Sequence, residues 1–288
     1  MRRAALVVVL VAAAARADTP TGIGVFAPSS PFDGPVARLD AATAIATHLA
    51  GQVGGAYVGR AYGRAADFVA AVRRKEVQFA LLDASFVAAM GVPYTVLATC
   101  EKGGDAEVAW EVVTSTGAKS VRELFGKSVA TPAIGSREEA FVEGVLLGGE
   151  VPASSFKIAY APDALSALGA VAHGRAEAAF VPRGLPAPPG THRLATLGPS
   201  RLPVFVALPG APTVPEVKAA IVRYTPAICD RLVAADGKSL QGLMSRFGPR
   251  TRRAPWVAPQ LRVGWDAALP AQTFTVPRPS LSSYTAGK

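Results

Sequence analysis

The feature that most constrains the fold is a unit that occurs twice. Residues 65–83, AADFVAAVRRKEVQFALLD, lie over residues 164–182, ALSALGAVAHGRAEAAFVP, without a gap at a constant offset of 99. Ala71-Val72 meets Ala170-Val171, and Ala80 meets Ala179. Each copy reads as a helix with apolar positions near a 3.6 period, then a polar turn, then a short buried strand. A strand entered from a helix of this length belongs to a βαβ crossover, and so to a sheet with parallel pairing. Two such units 99 residues apart give two lobes built alike.

The remaining punctuation agrees. Ile23-Gly24-Val25-Phe26, Ala56-Tyr57-Val58 and Val77 to Leu82 read as strands, separated by helices over 34–50 and 64–75. Downstream, strands over 127–130, 157–160 and 176–181 alternate with helices over 136–147 and 164–173. Strand-like passages at 94–100 and at 193–197 with 202–208 lead out of the first lobe and back, and 215–235 and 238–246 read as helical. The expected organisation is α/β. A discontinuous first lobe, 18–98 and 200–250, carries an inserted second lobe, 102–196, and each lobe is a mostly parallel sheet flanked by helices. Two chain crossings form a two-strand hinge, and the cleft between hinged lobes is a favoured ligand site. The tail, 251–288, is rich in proline, has no helical period, and is expected to pack on the first lobe through Trp256, Trp265 and Phe274.

The first residues, MRRAALVVVLVAAAARADTP, have the parts of a secretory leader: basic Arg2 and Arg3, an apolar run from Ala4 to Ala14, and Ala15-Arg16-Ala17 as an A-x-A cleavage site. The apolar run is far short of the ~20 residues that span a bilayer, and no cysteine follows it to carry a lipid. The expectation is a cleaved signal peptide, residues 1–17, and an exported monomer beginning near Asp18. Losing Arg2, Arg3 and Arg16 leaves 27 of 30 basic residues against 21 acidic, a net charge of +6 instead of +9. Arg246, Arg250, Arg252, Arg253 and Arg262 cluster, but without interleaved aromatics, so an anion-attracting or solvated face fits better than nucleic-acid binding. Cys100 and Cys229 are an even pair in an oxidising compartment; they read either as one disulfide or as two buried thiols.

The stretch 130–141, ATPAIGSREEAF, places Gly135 and Ser136 where a helix begins. A helix start leaves backbone N–H groups unpaired and carries about half a positive charge, so an oxyanion can bind there while glycine allows close approach. The same residues fit a capping box, Ser136 with Glu139, which would satisfy those donors internally. Ser85, at a helix start in the first lobe, supports the anion reading. Arg183, followed by Gly184 and Pro186, reads as a solvated loop residue. No GxSxG, GxxxxGK[ST] or HExxH occurs, and His48, His173 and His192 stand apart from any metal-ligand spacing, so neither enzyme nor cofactor is expected.

The order of motifs resembles that of the type II periplasmic solute-binding proteins. Within them it is most similar to the phosphate/phosphonate/phosphite-type substrate-binding subunits of ABC transporters. Gly24 to Ser30 match a strand ending in a Pro/Ser loop, Tyr62 to Phe68 open the second helix, and Asp83-Ala84-Ser85-Phe86 end the third strand. Gly126 to Ala130 lead to Gly135-Ser136, and Tyr160 to Ala164 close the set. The resemblance implies a small anionic ligand held between the lobes by Ser29, Ser30, Tyr62, Ser85, Gly135, Ser136 and Asp163, and transient docking on an ABC permease. Pro162 stands where such proteins carry a histidine, and Val181-Pro182-Arg183 replaces an acidic strand end; both argue against an ammonium-bearing ligand. The alternative is a sensor or accessory protein on the same fold, with a different ligand or none that is transported.

Overall fold

The computed structural model describes residues 19–235 and 237–247. The leader, the tail from 251 and most of the basic cluster lie outside the described residues.

The chain begins with β1 (Thr21–Phe26), α1 (Gly34–Val53), β2 (Tyr57–Ala61), α2 (Ala65–Arg73), β3 (Phe79–Leu82), α3 (Ala84–Ala89) and β4 (Thr95–Glu101). It continues through β5 (Glu107–Thr114), β6 (Ser128–Pro132), α4 (Glu138–Phe141), β7 (Lys157–Ala161), α5 (Ala164–Ala172), β8 (Ala178–Pro182) and β9 (His192–Arg201). It returns as β10 (Val204–Ala207), α6 (Val214–Ile221), β11 (Arg231–Ala234) and α7 (Gln241–Phe247).

These strands make two sheets, one of six strands in the order β11-β4-β10-β3-β1-β2 and one of five in the order β7-β6-β8-β5-β9. The parallel pairing expected from the βαβ units is confined to β2-β1-β3 and β7-β6-β8. The strands that carry the chain between the sheets, β4, β5, β9 and β10, add antiparallel pairs, so each sheet is mixed.

The repeated unit is repeated in detail. α2 and α5 begin and end at positions 99 apart, as do the starts of β3 and β8. Both helices close alike: the N–H of Arg74 donates to Ala70 O and that of Lys75 to Val72 O, while the N–H of His173 donates to Gly169 O and that of Gly174 to Val171 O. The turn residue is left-handed in both copies, Lys75 at φ 59 and Gly174 at φ 64. A left-handed residue after the last turn satisfies helix-end carbonyls and redirects the chain into the strand.

Two expectations change. The helix read over 215–235 stops at Ile221, and 231–234 forms β11, antiparallel to β4. Pro226 interrupts the run, and the Cys100–Cys229 disulfide draws the segment onto β4. The helix read over 136–147 is a short α4 followed by a π-helical turn over Val142–Leu146. The largest buried cluster joins both sheets, from Phe26, Phe68 and Phe86 to Trp110, Phe141 and Phe180. The Trp110 indole N–H donates to Ser200 Oγ at 2.7 Å, so this buried polar group is satisfied between β5 and β9.

Candidate functional site

In each sheet a central parallel strand has its two crossover partners on opposite sides, β1 between β2 and β3, and β6 between β7 and β8. Such switch points leave a crevice at the carboxyl ends of the strands, and ligands bind there in open α/β sheets. The loops at those ends carry the residues of interest: 27–31 after β1, Asp83 after β3, 133–137 after β6, Pro162-Asp163 after β7 and Arg183 after β8.

The first-lobe loop is fixed by Asp83, whose Oδ2 accepts from the Ser29 N–H at 2.8 Å. Asp83 is 2 % exposed, and its Oδ1 is buried without a partner. Burial pushes its carboxyl up to about 7, against the opposing pull of the Ser29 hydrogen bonds and the Arg38 charge. Arg38, on α1, is buried and reaches the other lobe: its Nη2 lies 3.3 Å from Asp163 Oδ2. Asp163 caps α5 by accepting from the Ser166 N–H at 2.8 Å. Beside it, the Ala164 N–H donates to Pro28 O at 3.0 Å.

The expected site residues fall into two groups. Ser29 and Ser30 line a cavity of about 90 Å³ on the hinge side; Asp163 pairs with Arg38 of the first lobe, and its neighbour Ala164 bonds to Pro28 of the same loop. Gly135, Ser136 and Tyr62 lie at a separate, largely apolar contact, and Ser85 precedes Phe86 in α3. Gly135, at φ 98, packs so closely that an added Cβ would lie 2.7 Å from Ala65 Cβ and 2.9 Å from both Phe26 and Phe86 ring carbons. The Ser136 hydroxyl points to Ala89 O at 3.5 Å. Tyr62 stands edge-on to Phe68, with its hydroxyl buried and unpartnered and its pKa raised by burial. Ser85 is buried in α3.

The capping box is also rearranged. α4 starts at Glu138, with left-handed Arg137 at its N-cap, and the Gly135 N–H donates to Glu138 Oε1 at 3.1 Å. Left-handed Gly135 and Arg137 swing the chain so that Gly135 reaches the Phe26–Phe86 pair, which moves the helix start two residues beyond Ser136. Burial first, then Glu139 and Glu138, push the Tyr160 phenol up to about 12; Arg137 lines the same hollow as these two glutamates.

The hinge-side cavity carries charge of one sign. Lys102, Arg183 and Arg201 line it, and no carboxylate does. Arg201 has Glu107 at 3.9 Å; Lys102 and Arg183 have no carboxylate within salt-bridge distance among the described residues. Arg183, read from the sequence as a solvated loop residue, is exposed but stands on the cavity wall. Its N–H donates to Ala109 O at 2.8 Å. The Arg193 guanidinium, bonded to buried Glu111 at 2.7 Å, also donates to Leu185 O at 2.9 Å and holds that loop. Lys102 sits in a tight turn whose Gly103 N–H donates to Asp230 Oδ2 at 2.7 Å. The disulfide holds Ile228, another wall residue, close by. Sequence reading missed Lys102, Arg201 and Arg38, because nothing local distinguishes a hinge or helix cation from a solvated one.

Solved structures share this architecture. PhnD1 from Prochlorococcus marinus, solved in complex with methylphosphonate, superposes with a TM-score of 0.63 at 13% identity, over 78% of this chain and 96% of that one. The binding-protein component of an ABC phosphonate transporter from Pseudomonas aeruginosa gives 0.61 at 12% identity, over 78% of this chain and 85% of that one. The fold is that of the two-lobed periplasmic binding proteins. A Xanthomonas citri protein of this fold bound to chloride ion gives 0.59 at 13% identity, over 78% of this chain and 96% of that one. No family model and no curated protein matches the sequence. Within this binding-protein fold the hinge cavity and the aromatic contact are both interlobe features. Among the described residues no group of three His, Cys, Asp or Glu is placed to hold a metal, and no helix is long and apolar enough to cross a membrane.

Proposed function

We propose that this chain is an exported, periplasmic solute-binding protein that captures a small oxyanion between its lobes and delivers it to an ABC permease. The observation that carries the reading is the hinge-side cavity, where Lys102, Arg183 and Arg201 meet the Ser29 and Ser30 loop with no carboxylate in the wall. Three cations favour an anion, and hydroxyls with fixed backbone supply short donors. The cavity has a volume of about 90 Å³. It admits an ion of the phosphate, phosphite or methylphosphonate class. Every charged side chain in the wall is a cation, which disfavours an ammonium-bearing ligand. Similar folds were solved with anions of different size, methylphosphonate in one and chloride or ATP in the Xanthomonas citri protein, which supports an anionic ligand.

The test is thermal unfolding of residues 18–288 against phosphate, phosphite, methylphosphonate, sulfate and small carboxylates. Binding to the native state at one hundred times Kd stabilises by about 2.7 kcal/mol. The expected result is a saturable shift with one oxyanion, weakened roughly ten- to hundredfold in Arg183→Ala, as for a lost charged hydrogen bond. A second reading, a sensor or accessory protein, is favoured by the Gly135 contact with Phe26 and Phe86, which fills the other end of the cleft with apolar groups. No shift with any anion would support it.

A further inference from the structure

Among the buried polar groups of the described residues, one ion pair joins the lobes. Arg38 comes from α1 beside the first sheet, Asp163 from the loop before α5 in the second, and their side chains are 4 % and 12 % exposed. A buried ion pair contributes little net stability, because desolvation offsets attraction; what it selects is one arrangement of its two carriers. Here the carriers are the lobes. The pair sits beside the Ala164 N–H to Pro28 O bond, so two contacts of different chemistry clamp the same point. Pro28 leads directly into Ser29 and Ser30, which Asp83 holds from below through the Ser29 N–H. Both charges have other satisfaction when the lobes part. Asp163 keeps the Ser166 N–H, and Arg38 regains water. The contact is also incomplete, since Arg38 Nη1 is buried with no partner. Such a pair specifies one arrangement of the lobes more than it stabilises it.

We propose that Arg38 is the positioning residue for lobe closure: its ion pair with Asp163 latches α5 of the second lobe onto the Pro28–Ser30 loop of the first. The inference does not depend on the nature of the ligand.

The experiment is hydrogen exchange of residues 18–288 without ligand, read at the Ala164 amide and at the amides of β1 and β8. Two variants are compared with the unaltered chain. Arg38→Met keeps the volume of the side chain and removes its charge. Asp163→Asn keeps an oxygen for the Ser166 N–H and removes the pair. The expected result is at least tenfold faster exchange at Ala164 in both, unchanged β1 and β8 amides, and return to within threefold of the unaltered rate in Arg38→Lys. Exchange at Ala164 within twofold of the unaltered chain in both variants would overturn the latch. So would strand amides of both sheets accelerating together with Ala164, which marks a merely structural role. Anion binding is not read in this experiment, so its outcome and that of the ligand panel are separate.

Discussion

Lys75 and Gly174 occupy the same place in two copies of one helix–turn–strand unit, 99 residues apart, and both are left-handed, at φ 59 and φ 64. One copy has the residue suited to that conformation and the other does not. A left-handed L-residue costs roughly 1–2 kcal/mol, part of which the entropy of an added glycine offsets. Lys75→Gly is therefore expected to stabilise the chain by up to about 1 kcal/mol, and Gly174→Ala to destabilise it by about as much. Urea denaturation of both variants tests the pair; the same sign for both would contradict the shared turn.

Asp83 gives stability a pH dependence. Its folded carboxyl is raised to about 7 from 3.8, so the folded state holds the proton more tightly than the unfolded state. The contribution is full below the unfolded value and is lost as pH rises through about 7. At 1.36 kcal/mol per pH unit the span amounts to roughly 4 kcal/mol. Asp83→Asn keeps an acceptor for the Ser29 N–H and does not titrate. Its stability between pH 4.5 and 8 should be flatter than that of the unaltered chain by this slope, measured by denaturant unfolding at each pH.

The Cys100–Cys229 disulfide closes a separation of 129 residues. A loop of that size stabilises by about 5 kcal/mol in the chain-entropy description. Reductant, or the Cys100→Ala/Cys229→Ala double variant, should lower the unfolding midpoint accordingly. An unchanged midpoint would show that the bridge contributes nothing.

Gly135 packs closely across the interlobe contact. Gly135→Ala is expected to destabilise by about 2 kcal/mol or more, from overpacking and a left-handed alanine. Gly63→Ala meets open space and should change stability by less than about 0.5 kcal/mol. Thermal unfolding of the two variants side by side makes the comparison.

The sequence by itself determined the local units. The offset of 99 between residues 65–83 and 164–182 carried the helix, the turn and the buried strand of both lobes, because 3.6-residue periodicity and apolar runs are written in neighbouring residues. Pro28 to Ser30 and Asp163 were visible for the same reason, as loop and cap residues next to strong elements. Only the tertiary structure decided which of these loops meet. The antiparallel strands β5 and β11 depend on partners distant in sequence, and β11 took its place beside β4, next to the Cys229 bridge, against a helical reading. Gly135 looked like an anion site because glycine before a helix permits one. Whether the space before it holds an ion or the rings of Phe26 and Phe86 depends on residues about 50 to 110 positions away. Lys102, Arg183 and Arg201 carry no local signal, since an exposed cation has the same sequence whether it faces bulk water or a shared wall. Charges become a site through convergence, and convergence is set by how two sheets pack.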